Sequence, residues 1–182
     1  MINTEEYFNH SGGAIGADSS WDEIGKEYRF NNHFHYWYLK PNPKSEPQHQ
    51  ITEKIYLEGV KMIEKANLTL KRQNINRYMH LLARNWSQVK NSDSIYAIGF
   101  LQKNMKSVSG GTGWAIQMAI DNDSDIYVFE QDKEQWYFWS EDKFEYCNTP
   151  KLTKNYAGIG TRKINDAGKN AIRNVYEKTI KC

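Results

Sequence analysis

The run His10-Ser11-Gly12-Gly13-Ala14-Ile15-Gly16-Ala17-Asp18 follows an apolar-aromatic pair, Tyr7 and Phe8, and leads into an amphipathic segment. A strand that breaks at glycines and re-enters as a helix points free backbone N–H groups at one spot. The helix dipole is positive there, so the spot suits a phosphate. Gly12, Gly13 and Gly16 would give close backbone approach, with Ala14 in the same loop. Ser11 would supply a hydroxyl donor. His10 would donate to the phosphate or close the turn. Asp18, near the start of the helix, reads first as a cap for its N–H groups and second as a ligand contact. A second turn, Gly110-Gly111-Thr112-Gly113, precedes another helical run. Thr112 there either caps its helix or bonds the ligand. Trp114 either packs under the sheet or stacks on a base. A third strand-end turn is Gly158-Ile159-Gly160-Thr161-Arg162, where a guanidinium suits bidentate phosphate recognition or a surface ion pair. Each turn alone reads equally as an ordinary tight turn. Three at strand ends point to a shared nucleotide site.

Other chemistry-bearing residues are weaker. Arg84 and Asn85 interrupt an apolar helical run, Leu81 to Trp86, and need either a structural partner or a ligand. His33 and His35 alternate on a strand and so share a face, but no third ligand in pattern makes them a metal site. Asp93 reads as a cap or turn at the far sheet end. Lys71-Arg72-Gln73-Asn74 reads as a solvated polar loop. No Ser-His-Asp order, paired-carboxylate motif or phosphate-binding Walker loop is present, and no catalytic residue or cofactor is assigned.

The elements that must position these residues alternate. Strands are predicted over 7–10, 33–39, 94–100, 126–129 and 156–160. Helices are predicted over 17–28, 52–66, 76–90, 112–120 and 165–178, with Tyr78, Leu81, Leu82 and Val89 as the apolar stripe of the third. Pro41, Pro43 and Pro47 make 40–50 a loop. Residues 135–146 read as an aromatic β-hairpin around 140–143. The alternation predicts an α/β fold, a three-layer, mostly parallel sheet with helices on both faces and the hairpin appended. Ligands in such sheets sit at the strand carboxyl ends.

The 182 residues suit one domain, 1–182, with a full core. Against 24 basic residues stand 22 acidic ones, a formal charge of +2, which argues against a dedicated nucleic-acid binder. Aromatics reach 14%, enough to place some rings on a binding surface. Cys147 and Cys182 make no ligand spacing and read as free thiols in a reducing cytoplasm. No run approaches the ~18 apolar residues of a membrane span.

The Ser11–Asp18 and Gly110–Gly113 motifs resemble the SLOG superfamily, which includes DNA-processing protein A and the Lonely Guy phosphoribohydrolases. The resemblance implies a Rossmann-like fold binding nucleotides or their derivatives, with oligomers common. Gly160-Thr161-Arg162 is similar to the family's Gly-Ser/Thr-Arg turn, which usually comes first in the chain. Here it is last, so the chain is a circular permutant of the family order, or Arg162 belongs to an unrelated strand. The Lonely Guy enzymes carry Gly-Gly-x-Gly-Thr-x-x-Glu. Laid over this chain, their Thr falls on Trp114 and their catalytic Glu on Gln117, and an amide cannot do acid-base work. Gln117, four residues after Gly113, would face the same site as that glycine. The expectation is a non-catalytic, at least dimeric binder of a cyclic oligonucleotide or ADP-ribose-type signal, such as a phage-encoded sponge in a host cytoplasm. The alternatives are an N-glycosidase whose carboxylate is Asp18 or Glu23, and a DNA-processing role.

Overall fold

The computed structural model describes residues 2–37 and 47–181. Strand β1 (Phe8–Ser11) runs through the glycine loop into α1 (Ala17–Glu27), and β2 (Asn31–Tyr36) follows. Next come β3 (Gln48–Gln50) and α2 (Glu53–Leu70), the latter opened by Thr52, whose hydroxyl accepts from the Ile55 amide at 3.3 Å. A 3-10 turn (Ile75–Tyr78) enters α3 (Met79–Lys90), followed by β4 (Ser94–Gly99), α4 (Thr112–Ile120) and β5 (Asp125–Glu130). The hairpin strands β6 (Gln135–Ser140) and β7 (Lys143–Cys147), then β8 (Asn155–Gly160) and α5 (Asp166–Ile180), complete the order.

These strands form one sheet in the order β3-β2-β1-β8-β4-β5-β6-β7. Pairing is parallel from β3 through β5 and antiparallel across β5-β6-β7. One core joins residues of α1 and α5, among them Trp21, Ile172 and Tyr176, to Tyr96, Ile98 and Tyr156 of the sheet. The other joins Ile63 of α2, Trp86 of α3 and Ile116 of α4 to Ile95, Ala97 and Ile159. Three layers result, the expected Rossmann-like α/β architecture. Because helices cover both faces, all six residues of β4 are buried, which is why that strand reads as an apolar run instead of an alternating one.

The last strand, β8, lies at the centre, between β1 and β4. From it the chain order runs outward both ways, β1-β2-β3 to one side and β4 through β7 to the other. Crossovers diverge at such a point, leaving a crevice beyond the strand carboxyl ends. Gly158 lets α1 press close there: a Cβ at that position would lie 2.4 Å from Cγ of Trp21.

The expected and observed elements differ in instructive places. Residues 48–50 are a strand, whereas a loop was expected across 40–50. Parallel register with β2 (Phe34 with Gln48, Tyr36 with Gln50) imposes it, and no local pattern announces it. The strand expected over 33–39 is β2, which begins earlier; positions 38–46, and with them most of that loop, lie outside the described residues, as does Cys182. The hairpin is appended to the main sheet as expected, continuing it antiparallel at its edge. No helix among the described residues is long and apolar enough to cross a membrane.

Candidate functional site

At the central crevice lies a cavity of about 570 Å³. The turns after β1, β4 and β8 supply one side, through Ala14, Ile15 and Asp18, then Ser109 to Thr112, then Gly160 to Lys163. A face of α3, including Leu81, Arg84, Asn85 and Gln88, and the segment before it, from Arg72 to Tyr78, supply the other. The volume lies within the range of small-molecule sites.

The first and third glycine turns touch. The Ala17 amide donates to the Thr161 carbonyl at 2.9 Å, and a Cβ at Gly16 would fall 2.5 Å from Cα of Arg162. Ala14, Asp18, Gly110, Gly111, Thr112, Trp114, Thr161, Arg162, Arg84 and Asn85 all line the cavity. His10, Ser11, Gly12, Gly13, Gly16, Gly113 and Gln117 do not.

The reasons are local. The Ser11 hydroxyl is fully buried, donates to Oδ2 of Asp22 at 2.9 Å and accepts from the Gly13 amide at 3.0 Å, so it braces the loop from beneath. Gly12 packs on Arg84 and Gly16 on the Arg162 backbone, so these glycines permit chain-to-chain approach instead of ligand approach. Gly113 would drive a Cβ to 2.2 Å from the Val108 carbonyl oxygen. Gln117 is buried and donates to Oδ1 of Asp121 at 3.0 Å. Trp114, one turn earlier on the same helix face, lines the cavity, whereas Gln117 does not, its amide being engaged by Asp121.

Gly110 and Gly111 behave differently. A Cβ at either would meet nothing within 4 Å. Gly110 needs glycine for its φ of 70°, but Gly111, with φ −62°, needs it neither for conformation nor for packing. Gly111 lines the cavity, so a bound molecule could approach its backbone there.

Arg84 forms the floor. Its residue is only 7% exposed, and among the described residues its guanidinium makes one hydrogen bond, from Nη1 to the His35 carbonyl at 3.3 Å. Among the described residues it has no carboxylate within ion-pair distance, and burial lowers its pKa against the opposing pull of Asp18. Asp18 accepts from the Gly160 amide at 3.1 Å through Oδ1, and its own amide in the first turn of α1 and that of Ala14 also favour the carboxylate. Burial pushes its pKa up to about 6, with Arg84 and backbone N–H groups opposing the shift. The floor is thus a buried cation beside a carboxylate close to neutralisation. Arg162 and Lys163, both exposed, add positive charge higher on the wall.

Arg72 corrects the expectation of a solvated loop at 71–74. Its guanidinium donates to the Gly110 carbonyl at 2.5 Å and the Val108 carbonyl at 3.1 Å, and lies 5.5 Å from the centroid of Trp114. It clasps the 72–78 segment to the glycine turn across the cavity. Asn67 sets it in place, accepting from the Arg72 amide at 2.8 Å, a tertiary arrangement that charge patterning cannot reveal. Tyr78 and Leu81 also depart from expectation. They were read as core stripe, yet they are 51% and 38% exposed at the cavity rim.

Beneath α3, four histidines from three adjacent strands lie close together. Nδ1 of His10 is 3.0 Å from Nε2 of His35, and Nδ1 of His35 is 3.0 Å from the Ser87 hydroxyl. His33 lies tilted against His49, with ring centroids 4.9 Å apart. Burial brings His10 down to about 4 and His35 to about 3, so both are neutral near pH 7. Gln88 donates to the His10 carbonyl at 3.2 Å, tying the cavity-lining helix to this network. No group of three or more His, Cys, Asp or Glu among the described residues is arranged to hold a metal ion.

Comparison of the chain with protein-family models, curated proteins and solved structures gives no match. The chemistry of the site rests on its own geometry. It can present a buried guanidinium, two exposed cations and an open glycine turn to an anion, with aromatic and aliphatic side chains at the rim.

Proposed function

We propose that the protein binds a small nucleotide-derived molecule in this cavity and releases it unchanged. The carrying observation is Arg84, a buried guanidinium with one carbonyl partner at the floor of a cavity bounded by three strand-end turns. An under-satisfied buried cation is costly, and a phosphate or pyrophosphate supplies the charged acceptors it lacks. The unfilled space over Gly111 supports the same reading. So does the strand order, which becomes a doubly wound Rossmann order if the chain is read from β8, in keeping with the resemblance to a permuted SLOG domain. Sequestration of a cyclic oligonucleotide or ADP-ribose-type signal is the role such a binder fills, in the manner of a sponge.

One observation favours a second reading. Asp18 is the carboxylate on the cavity wall, and its pKa of about 6 suits a general acid or base. An N-glycosidase would use that residue, because Glu23 is exposed and does not line the cavity. Incubation with AMP, GMP and ADP-ribose, followed by chromatography of the supernatant, separates the two. Binding without release of base or ribose supports sequestration; turnover abolished by Asp18→Asn supports the enzyme.

A further inference from the structure

We infer that the cavity takes its ligand phosphate-first, with the anionic group on Arg84 at the floor and the heterocycle at the mouth against Ile15, Tyr78 and Leu81. This rests on the nucleotide-binding reading above and adds to it an orientation and a selectivity.

The observation is the distribution of exposed apolar side chains. Among the described residues the exposed large hydrophobics are Ile15, Leu57, Leu68, Tyr78, Leu81 and Tyr146. Three of those six line this one cavity. They come from separate places in the chain: Ile15 from the turn after β1, Tyr78 from the 3-10 turn, and Leu81 from the first turn of α3. Ile15 is 84% exposed and held in a loop whose neighbours Ala14 and Gly16 are tied into the fold by hydrogen bonds from the Ser19 amide and Ser20 hydroxyl. Apolar side chains gathered on the lip of a polar-floored cavity mark a contact surface for something equally amphipathic.

A nucleotide has that polarity along its length. Its charge matches Arg84 below and Arg162 and Lys163 on the wall, and the ribose spans the Gly110–Gly111 turn. Its flat base then reaches the rim. The reverse orientation would bury the base against a guanidinium and leave the phosphate among Ile15 and Leu81, losing both matches. Ile15, Tyr78 and Leu81 together offer aliphatic surface, a ring and one polar atom, the Tyr78 hydroxyl, while the exposed Gln73 and Asn74 line the cavity beside them. Recognition there is by stacking and apolar contact, which tolerates different bases. The site therefore reads phosphate and sugar closely and base identity loosely.

Calorimetry on the full chain with ribose 5-phosphate, AMP and GMP tests this. The expected result is that AMP and GMP bind within about tenfold of one another, and each about tenfold tighter than ribose 5-phosphate. Tyr78→Ala/Leu81→Ala, at exposed positions, should bring AMP down to the level of ribose 5-phosphate and leave ribose 5-phosphate unchanged. Arg84→Lys and Arg84→Gln should weaken all three probes, with thermal unfolding reporting whether each variant is folded. Equal AMP affinity in the rim variant and the parent would overturn the inference. So would an equal loss for ribose 5-phosphate, or a parent dimer that the rim substitutions dissociate in sedimentation. Binding of a cyclic dinucleotide without binding of the monophosphates would overturn the orientation and leave the nucleotide reading standing. Absence of binding by all these probes and by ADP-ribose would remove both.

Discussion

The backbone of Gly12 lies against the guanidinium of Arg84, so closely that a Cβ at Gly12 would fall 1.8 Å from Nη1 and 2.5 Å from Cζ. The glycine-rich turn thus packs against the cation that forms the cavity floor, and a side chain at position 12 must displace it. Gly12→Ala is expected to weaken binding of ADP-ribose at least tenfold. Overpacking of a buried site should also cost about 1–3 kcal/mol of stability, read from urea unfolding. Parent-like affinity in this variant would mean that Arg84 is not where the ligand binds.

Gly111 offers the opposite test. Nothing stands within 4 Å of a Cβ there and its φ is −62°, so Gly111→Ala should leave the melting temperature unchanged or slightly higher. If the open space is the ligand's, the same methyl should reduce affinity for ADP-ribose several-fold. A variant that is stable and binds normally would place the ligand elsewhere.

Asp18 couples binding to pH. Its pKa of about 6 means that the carboxylate beside Arg84 is charged at pH 7.5 and largely neutral at pH 5. Affinity for ADP-ribose, whose bridging phosphates do not titrate in that interval, should rise as pH falls through about 6. Asp18→Asn should abolish that dependence and bind about tenfold tighter at pH 7.5, because a like charge has left the site. A pH-independent parent would contradict the placement of the anion next to Asp18.

The histidine network under α3 sets the acid limit of stability. His10 and His35 titrate at about 4 and about 3 when folded against an ordinary 6.5, so the unfolded chain takes up their protons first. Their contribution is complete above pH 6.5 and is lost as pH falls toward about 4 for His10 and about 3 for His35. Asp18 acts in the opposite sense. Its folded pKa is raised from 3.8 to about 6, so its protonation adds stability as pH falls through that window. The two effects separate by substitution. His35→Gln is expected to flatten the acid side of the melting-temperature profile, and Asp18→Asn to steepen it. An acid limb unaltered by His35→Gln would show that the network is not what titrates.

Much of the architecture was legible because strong local signals and tertiary demand agreed. The apolar run of β4, the helix opening at Thr52 and the helix from Thr112 all stand where spacing put them. Gly160–Arg162 against the first turn was also readable, since strand-end turns in such a sheet share one edge. What failed was side-chain direction. Ser11 and Gly12 carry the glycine-loop pattern, yet the hydroxyl turns to Asp22 and the glycine serves Arg84, choices made by contacts far away in the chain. Arg72 looked solvated because its partners are backbone carbonyls, which leave no mark in sequence. Tyr78 and Leu81 fit a helical apolar stripe, and nothing local distinguishes a stripe that faces a core from one that rims a cavity.

Whether the cavity holds a nucleotide-derived ligand without breaking it is decided by mass spectrometry of what the protein releases. The full chain is loaded with ADP-ribose, AMP or a cyclic dinucleotide, freed of excess by gel filtration, and denatured by heat. One of these molecules should be recovered intact, near one per chain, from the parent and at background level from Arg84→Gln confirmed to be folded. Recovery of free base or ribose phosphate from the parent, or equal recovery of intact ligand from both proteins, would contradict that expectation.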